Sequence, residues 1–554
     1  MRRGRGSARA LGGLAGLATV GLMVSSCGGS DNGGSDLFSV AIAEPQYMTP
    51  SNCNETSCAE ALDGLYLGLV SYDPDTNEAQ LTALADSIES DDNTTWTIRL
   101  NEGFTFHDGT PVTADSFIKA WNYAAYGPNA QNNSYFFGPD ALGIQGYDAV
   151  NPADPDPEDD QVPEPTADTL AGLEKVSDTE FTVTLDNPFS QFTSVLGYTT
   201  FYPMPDAAFN ADGTLVDGFE EEPIGNGPYQ MDGSWEHNVQ IRTVTYPDFA
   251  GDAPKNGGVT YKIYQTLEAQ WADLQADEVD VTDSLPPSAL ATAESVLGDR
   301  YINQPSSAFQ FLGFPTTDPA YADIKVRQAI SRAINREEIT QTIFEGTRSP
   351  STAFVSPVVA GYRDGTCGDS CSYDQAAAKQ LWDEAANKPD TITITYNNDG
   401  GHKPWVDAAC NQIAAALGVE CNGVPKADFA TLLDDLDAVQ KNASANFGPF
   451  RLGWVMDYPS MQNYLGPLYS TNGSSNYYGY SSQEFDQLIV DGNQSDSADA
   501  AIEQYQAAED VLAQDFPVIP LWDANLTGGY STKVSDVSID AFERVDKVNV
   551  VVNS

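Results

Sequence analysis

The chain has 554 residues, 41% apolar and 10% aromatic, with 26 Lys+Arg against 80 Asp+Glu and a net charge of −54. Several domains fit that length, and hydrophobes recurring throughout mark a folded chain rather than a disordered one. So acidic a balance repels phosphate backbones and anionic lipid, which argues against nucleic acid and against broad membrane-surface contact. The acid is spread along the whole sequence, as on a solvated surface, and is not focused into a trap for cationic ligands.

At the N-terminus, Arg2, Arg3, Arg5 and Arg9 precede an apolar stretch, Ala10 to Val24, too short to span a bilayer. Residues 1–26 therefore read as a secretory signal. Val24-Ser25-Ser26-Cys27 resembles a bacterial lipobox, in which the Cys is lipidated and becomes the mature N-terminus. The Gly/Ser/Asp/Asn-rich residues that follow, to Asp36, have the composition of a flexible tether, so 27–36 is read as lipidated Cys plus tether. A plain signal peptide with an incidental Cys is the alternative. The expected location is the outer face of the cell membrane or the periplasm.

Export agrees with the cysteines. Beyond Cys27 they fall in close pairs, Cys53 with Cys58, Cys367 with Cys371 and Cys410 with Cys421. Even numbers in close pairs outside the cell read as local disulfides. A metal site could use the first two pairs, but His107, His237 and His402 lie away from every pair, so no metal or cofactor is expected.

In chain order, Trp96–Leu100 and Phe181–Leu185 read as strands, with Ala114–Tyr126 a helix between them and Thr113 its N-cap. Phe104 to Pro111 reads as a strand ending in a tight Asp108-Gly109 turn. Asn151 to Pro165 (NPADPDPEDDQVPEP) is Pro-rich and acidic, an exposed loop without the spacing of a calcium-binding loop. Later come helices at Lys325–Ile334, Gln375–Ala386, Trp405–Leu417 and Ala498–Gln514, and a strand at Ile392–Tyr396. Strands and helices alternate after about residue 300, which predicts βα units in a mixed α/β fold. Arg327 and Arg336 read as surface or salt-bridged residues.

Catalytic constellations are missing. There is no G-x-S-x-G elbow, no H-E-x-x-H and no P-loop, and the paired cysteines leave no thiol nucleophile. The chain is not expected to be an enzyme. A secreted hydrolase with a dispersed Ser/His/Asp triad is kept as a rival, since triad members need not be adjacent.

Arg451 to Tyr458 (RLGWVMDY) is strand-like and contains an abrupt Gly. A strand Gly often marks close approach of another backbone, and an acid beside aromatics suits an ammonium group. A bulge with a salt-bridged Asp457 is the structural alternative.

Several segments carry a resemblance. LYLGLVSY at 65–72 leads to WTIRLNEGFTFHDGTPVTAD at 96–115. IGNGPY at 224–229, VRQAISRAINREEI at 326–339 and GWVMDY at 453–458 follow. Then come Tyr478-Gly479-Tyr480 with Glu484-Phe485-Asp486, and FPVIPL at 516–521. In this order they resemble the oligopeptide/dipeptide family of ABC-transporter substrate-binding proteins (bacterial solute-binding protein family 5), lipoprotein type. The resemblance implies a two-lobed periplasmic-binding-protein-like fold with a hinge. Residues 37–65, 203–304 and 520–554 would form lobe I, 66–202 an inserted domain and 305–519 the other lobe. It implies a monomeric receptor that captures peptides between its lobes and delivers them to an ABC permease and its ATPase subunits. An oligosaccharide, a metal chelate or another small solute is the alternative ligand, and a surface receptor or chaperone without transport the alternative role.

It also implies site residues. Asp457 would anchor the ligand ammonium, and Gly453, Trp454 and Val455 would pair with the peptide as an added strand. Glu44 and Pro45 would flank it, Tyr135 would lie over it, His402 would stand near its far end, and Phe429 takes the place of a Trp. Relatives that hold longer peptides clamp the carboxylate with Lys or Arg. The matching places here fall near Thr342 and at Leu436, which leaves Arg348, Arg363 or Arg451 as substitutes.

Overall fold

The computed structural model describes residues 36–553 except 75, 140, 154–162, 317, 428, 442–446 and 472. Cys27 and most of the acidic loop at 151–165 lie outside the described residues.

The central sheet has eleven strands. In chain order they are β1 Leu37–Ile42, β2 Tyr229–Met231, β3 Gln240–Thr245, β4 Gly258–Ile263, β5 Val281–Thr282, β6 Tyr301–Gly313, β7 Arg348–Pro350, β8 Thr391–Asn397, β9 Glu420–Lys426, β10 Phe450–Trp454 and β11 Val518–Tyr530. Across the sheet the order is β9-β8-β10-β6-β11-β5-β1-β4-β3-β2, with β7 also on β11. β8 and β9 are parallel and joined by the helix Lys403–Leu417, a βαβ unit of the kind the alternation predicts. The Cys410–Cys421 disulfide staples that helix to β9. Cys53–Cys58 and Cys367–Cys371 are also bridged.

β6 and β11, antiparallel and 13 residues each, run from one end of the sheet toward the other. Their N- and C-terminal ends, Tyr301 and Gly529, lie beside β5, while Phe309–Gly313 is held between β10 and β11. Between Pro305 and Phe309 the ladder slips register. Pro305 brings no N–H to the ladder, and such a break bends and twists a strand pair.

The apolar cores follow this division. One gathers Phe309, Trp405, Tyr464, Leu512 and Trp522. A second belongs to a separate antiparallel sheet, in the order Ala85–Glu89, Thr95–Leu100, Glu180–Thr184, Leu173–Ser177. The helix Ala114–Ala125 packs there, with Phe117 stacked on Phe181 at 5.7 Å. A third gathers Phe38, Val40, Leu62, Tyr229 and Tyr261. The second-core layer meets the first-core body at the C-terminal end of the helix Gln483–Asn493. The Ser190 N–H and Oγ donate to the carbonyls of Asn493 (2.7 Å) and Gly492 (2.9 Å), and Asn93 Nδ2 donates to Ser495 O at 2.7 Å. These donors fill part of the helix's orphan carbonyls.

Predicted helices agree with the observed ones to within two residues at each end. Two readings need correction. Phe104–Pro111 is a turn rather than a strand, with an isolated bridge between Thr105 and Pro111. Asp108 accepts from the Thr110 N–H at 2.9 Å, and Gly109 supplies a φ of 83°. Beside it, His107 accepts from the Gly225 N–H at 3.1 Å, and burial pushes its imidazole down to about 4.

Arg327 and Arg336 are not surface residues, being 7% and 3% exposed. Neither has a carboxylate partner in a salt bridge among the described residues. Arg327 donates to the carbonyls of Tyr321, Ala322, Asp515 and Phe516, the last two at the end of the helix Ala498–Asp515. Arg336 donates to the carbonyls of Pro520, Ser331 and Cys371 and to the Ser331 hydroxyl. A guanidinium offers five donors, and here they go to backbone carbonyls and the Ser331 hydroxyl rather than to carboxylates. Replacing Arg336 by Met should lower the unfolding free energy by more than about 3 kcal/mol. A urea titration showing a loss below about 1 kcal/mol would mean that these carbonyls find other donors.

Candidate ligand-binding site

The site starts from an unfinished strand edge. On one side β10 pairs with β6 from Phe450 to Trp454. On the other, β8 meets β10 at a single bridge, Thr395 with Phe450. From Arg451 onward that second edge has no ladder partner among the described residues. Gly453 and Trp454 are half-buried and Val455 is 60% exposed, so the edge is reachable from outside. A Cβ at Gly453 would come within 3.2 Å of both the Arg451 Nη2 and the Phe309 carbonyl, which is why the smallest residue stands there.

Three residues past the strand, Asp457 faces a cavity of about 220 Å³ lined by Tyr135, Phe136, Trp454, Tyr458 and Asn463. Asn463 holds the geometry. Its Oδ1 accepts from the Asp457 N–H (2.8 Å) and the Trp454 Nε1–H (3.1 Å), and its Nδ2 donates to Asp457 Oδ2 at 3.2 Å. Asn463 is fixed in the first turn of the helix Met461–Tyr469, which Ser460 caps by accepting from the Gln462 N–H.

Asp457 has no cationic partner among the described residues. Burial pushes its carboxyl up to about 6, against the lowering effect of the Asn463 bond. The phenols of Tyr135, Tyr198 and Tyr458 are raised by burial and then further by the Asp457 charge. Tyr458 packs into the second core, so the cavity sits where that layer meets the strand end. A carboxylate with one neutral donor, no counter-charge and aromatic walls has the chemistry to accept an ammonium group.

The other expected residues are placed as follows. Tyr135 lines the cavity, 40% exposed, with its ring 4.4 Å from that of Phe136. Glu44 accepts from the Asn238 N–H at 2.8 Å and pairs with His237 at 2.8 Å, and Pro45 is buried; neither lines the Asp457 cavity. His402 is 4% exposed, and its Nδ1 accepts from Trp405 Nε1 at 3.1 Å, away from that cavity. Phe429 lies under the Arg451 guanidinium at 5.6 Å, and Arg451 Nη1 donates to Asn397 Oδ1 at 3.3 Å. Asn463 and Tyr458 escaped the sequence reading. The only signal for them was closeness to Asp457 in the chain.

A family model described as bacterial extracellular solute-binding proteins, family 5 Middle, matches residues 81–476. The oligopeptide-binding protein OppA of Bacillus subtilis is 23% identical over 531 residues, covering 90% of this chain and 91% of that one. The dipeptide-binding protein DppE of the same species is 26% identical over 455 residues, covering 79% and 77%. Among solved structures, Haemophilus influenzae OppA in complex with RPPGFSPFR superposes with a TM-score of 0.69 at 20% identity, over 94% of this chain and 99% of that one. The chain belongs to family 5 of the bacterial extracellular solute-binding proteins and has their two-lobed α/β fold.

Proposed function

We propose that this protein is the extracytoplasmic receptor of an ABC importer and that its ligand is a peptide. The observation that carries this reading is the open edge of β10 running into the uncompensated carboxylate of Asp457. An open edge offers backbone hydrogen bonds to any extended chain, and the carboxylate sets where its ammonium end stops. The names of the relatives, oligopeptide- and dipeptide-binding, point the same way. Residues 37–65, 203–304 and 520–554 act as one lobe, 66–202 as an insert and 305–519 as the other lobe. The irregular ladder of β6 and β11 serves as their hinge. Ligand supplies the differential affinity that favours closure, and the closed form delivers it to the permease and its ATPase subunits. No covalent chemistry is involved. Cys27 is the lipid anchor, the tether to Asp36 gives reach, and the receptor acts as a monomer.

Mass spectrometry of freshly purified protein under native conditions should release peptides of mixed sequence, and a released sugar or chelate would end the peptide reading. Asp457→Ala should weaken binding of a free-amine peptide by about 2–5 kcal/mol in calorimetry and leave an N-acetylated peptide at its already weak affinity. Equal losses for both peptides would remove the ammonium anchor.

The raised carboxyl also fixes a pH dependence. Between the ordinary carboxylate range and about 6 the folded state holds a proton that the unfolded state has released, so ligand-free stability falls as pH rises through that window. Asp457→Asn should therefore raise the melting temperature of the empty protein at pH 8 and leave it unchanged at pH 4. A lowered melting temperature at pH 8 would mean that Asp457 has a stabilising partner.

Secretion of a Cys27→Ser variant should yield protein free in the medium or periplasm, where the parent partitions with membranes. Membrane retention of the variant would remove the lipid anchor.

A further inference from the structure

A separate cavity of about 650 Å³ lies in the layer of the second core and shares no lining residue with the Asp457 hollow. One wall is the helix Ala114–Ala125, whose inner face, Phe117, Trp121 and Ala124, is buried in that core. Lys119, Asn122, Tyr123 and Tyr126 are spaced to share another stripe of the helix, and all four line the cavity. The facing wall is the turn Phe209 to Thr214. The Asn210 N–H donates to the Thr214 carbonyl at 2.8 Å, and Gly213 supplies a φ of 84°. The Asp212 carboxylate accepts from the Thr214 N–H (3.2 Å) and hydroxyl (2.7 Å), so the turn is preformed. The ring of Tyr123 stands 5.5 Å from that of Phe209, and Asn129, Asp168 and Thr169 complete the lining.

Several lining groups have nothing to do within the protein. The phenol hydroxyls of Tyr123 and Tyr126 and the carboxylate of Asp168 take part in no hydrogen bond or salt bridge among the described residues. Asn129 spends its Nδ2 on the Tyr123 carbonyl at 2.8 Å, and its Oδ1 accepts from no described residue. Burial, and then the charge of Glu220, pushes the Tyr123 phenol up, so it stays a hydroxyl donor at neutral pH. Both tyrosine rings are half-buried, with area left over for a flat apolar surface.

Charge narrows the ligand class. Lys119 is the only cation among the lining residues, and it is spent on Asp206. Asp168 and Asp212 remain, so phosphates and carboxylates are repelled. Asp168 is exposed, unlike Asp457, and a carboxylate in water gains little from an ammonium group. What fits is a neutral molecule with an apolar ring face and hydroxyls around its rim, which is a sugar. Its C–H face covers a tyrosine ring, and its hydroxyls donate to Asp168 and Asn129 and accept from the phenols. The volume lies within the ~300–1,000 Å³ of small-molecule sites.

We infer that this cavity binds a short neutral oligosaccharide, with Tyr123 and Tyr126 as the stacking platform and Asp168 and Asn129 as the hydroxyl acceptors. The site is open to solvent, so its ligand exchanges freely and is lost on purification. It is independent of the peptide reading, because the two hollows have no residue in common.

The test is calorimetric titration of the full-length protein with maltotriose, cellotriose and chitotriose, repeated on Tyr126→Ala, Asp168→Asn and Asp457→Ala. The parent should bind at least one of the three. Tyr126→Ala should weaken that sugar by about tenfold or more. Asp168→Asn, a change at an exposed position that leaves the fold intact, should weaken it by about tenfold. Asp457→Ala should leave it unchanged. Circular dichroism confirms that each variant is folded. No binding of any of the three sugars by the parent at about 10 mM overturns the inference and leaves the peptide reading standing. So does displacement of the bound sugar by spermidine, which would mark a cation site. Sugar binding that disappears in Asp457→Ala and survives in Tyr126→Ala and Asp168→Asn puts the sugar in the other hollow and overturns both readings.

Discussion

Taking a carboxylate out of water without a counter-charge is unfavourable, and the segment from Arg451 to Tyr469 is built to keep Asp457 in that state. Asn463 gives it a single neutral donor, enough to fix the side chain and too little to satisfy it. The same amide ties down the Asp457 backbone and the Trp454 indole, so acid, aromatic wall and strand end are set by one side chain. An ammonium group entering the cavity would recover the free energy the protein withholds. On the proposed reading, binding and stability oppose each other at this position.

Beneath the site, the scaffold satisfies two buried guanidinium groups internally. Arg327 and Arg336 tie the helices Ile324–Ala333 and Arg336–Thr342 to the carbonyls leading into β11, so that strand enters the sheet rigidly. β11 then carries Trp522 against Trp405 at 4.9 Å, with its indole N–H on Gln310 of β6. β6 and β10 are held against it, and among the described residues the outer edge of β10 beyond Phe450 has no ladder partner. Precision at a site usually comes from regular elements beneath it, and here three consecutive strands supply it.

Much of this could be read from the sequence. Periodicity located the long helices, and cysteine spacing gave the disulfide pairs because each pair closes a short loop. RLGWVMDY marked Asp457 for attention because an acid beside a Gly-Trp strand is an unusual local pattern, and the family resemblance rather than that pattern suggested an ammonium anchor. What stayed hidden depends on partners distant in the chain. Arg327 and Arg336 looked exposed because charge alone suggests solvent, and their partners at 515–520 are nearly 190 residues away. Likewise the open edge of β10 is a statement about where β8 stops pairing, which no local pattern encodes.

The seam at Ser190 has a consequence of its own. Donors from the layer around the second core rest on carbonyls at the C-terminal end of the helix Gln483–Asn493. Such groups accept from water almost as well as from a serine, so swapping one donor for the other changes the free energy little. A joint of this kind can part and reseal without a large barrier of its own. The clasp is geometrically definite yet energetically light, so it sets the register of the two layers without locking them together.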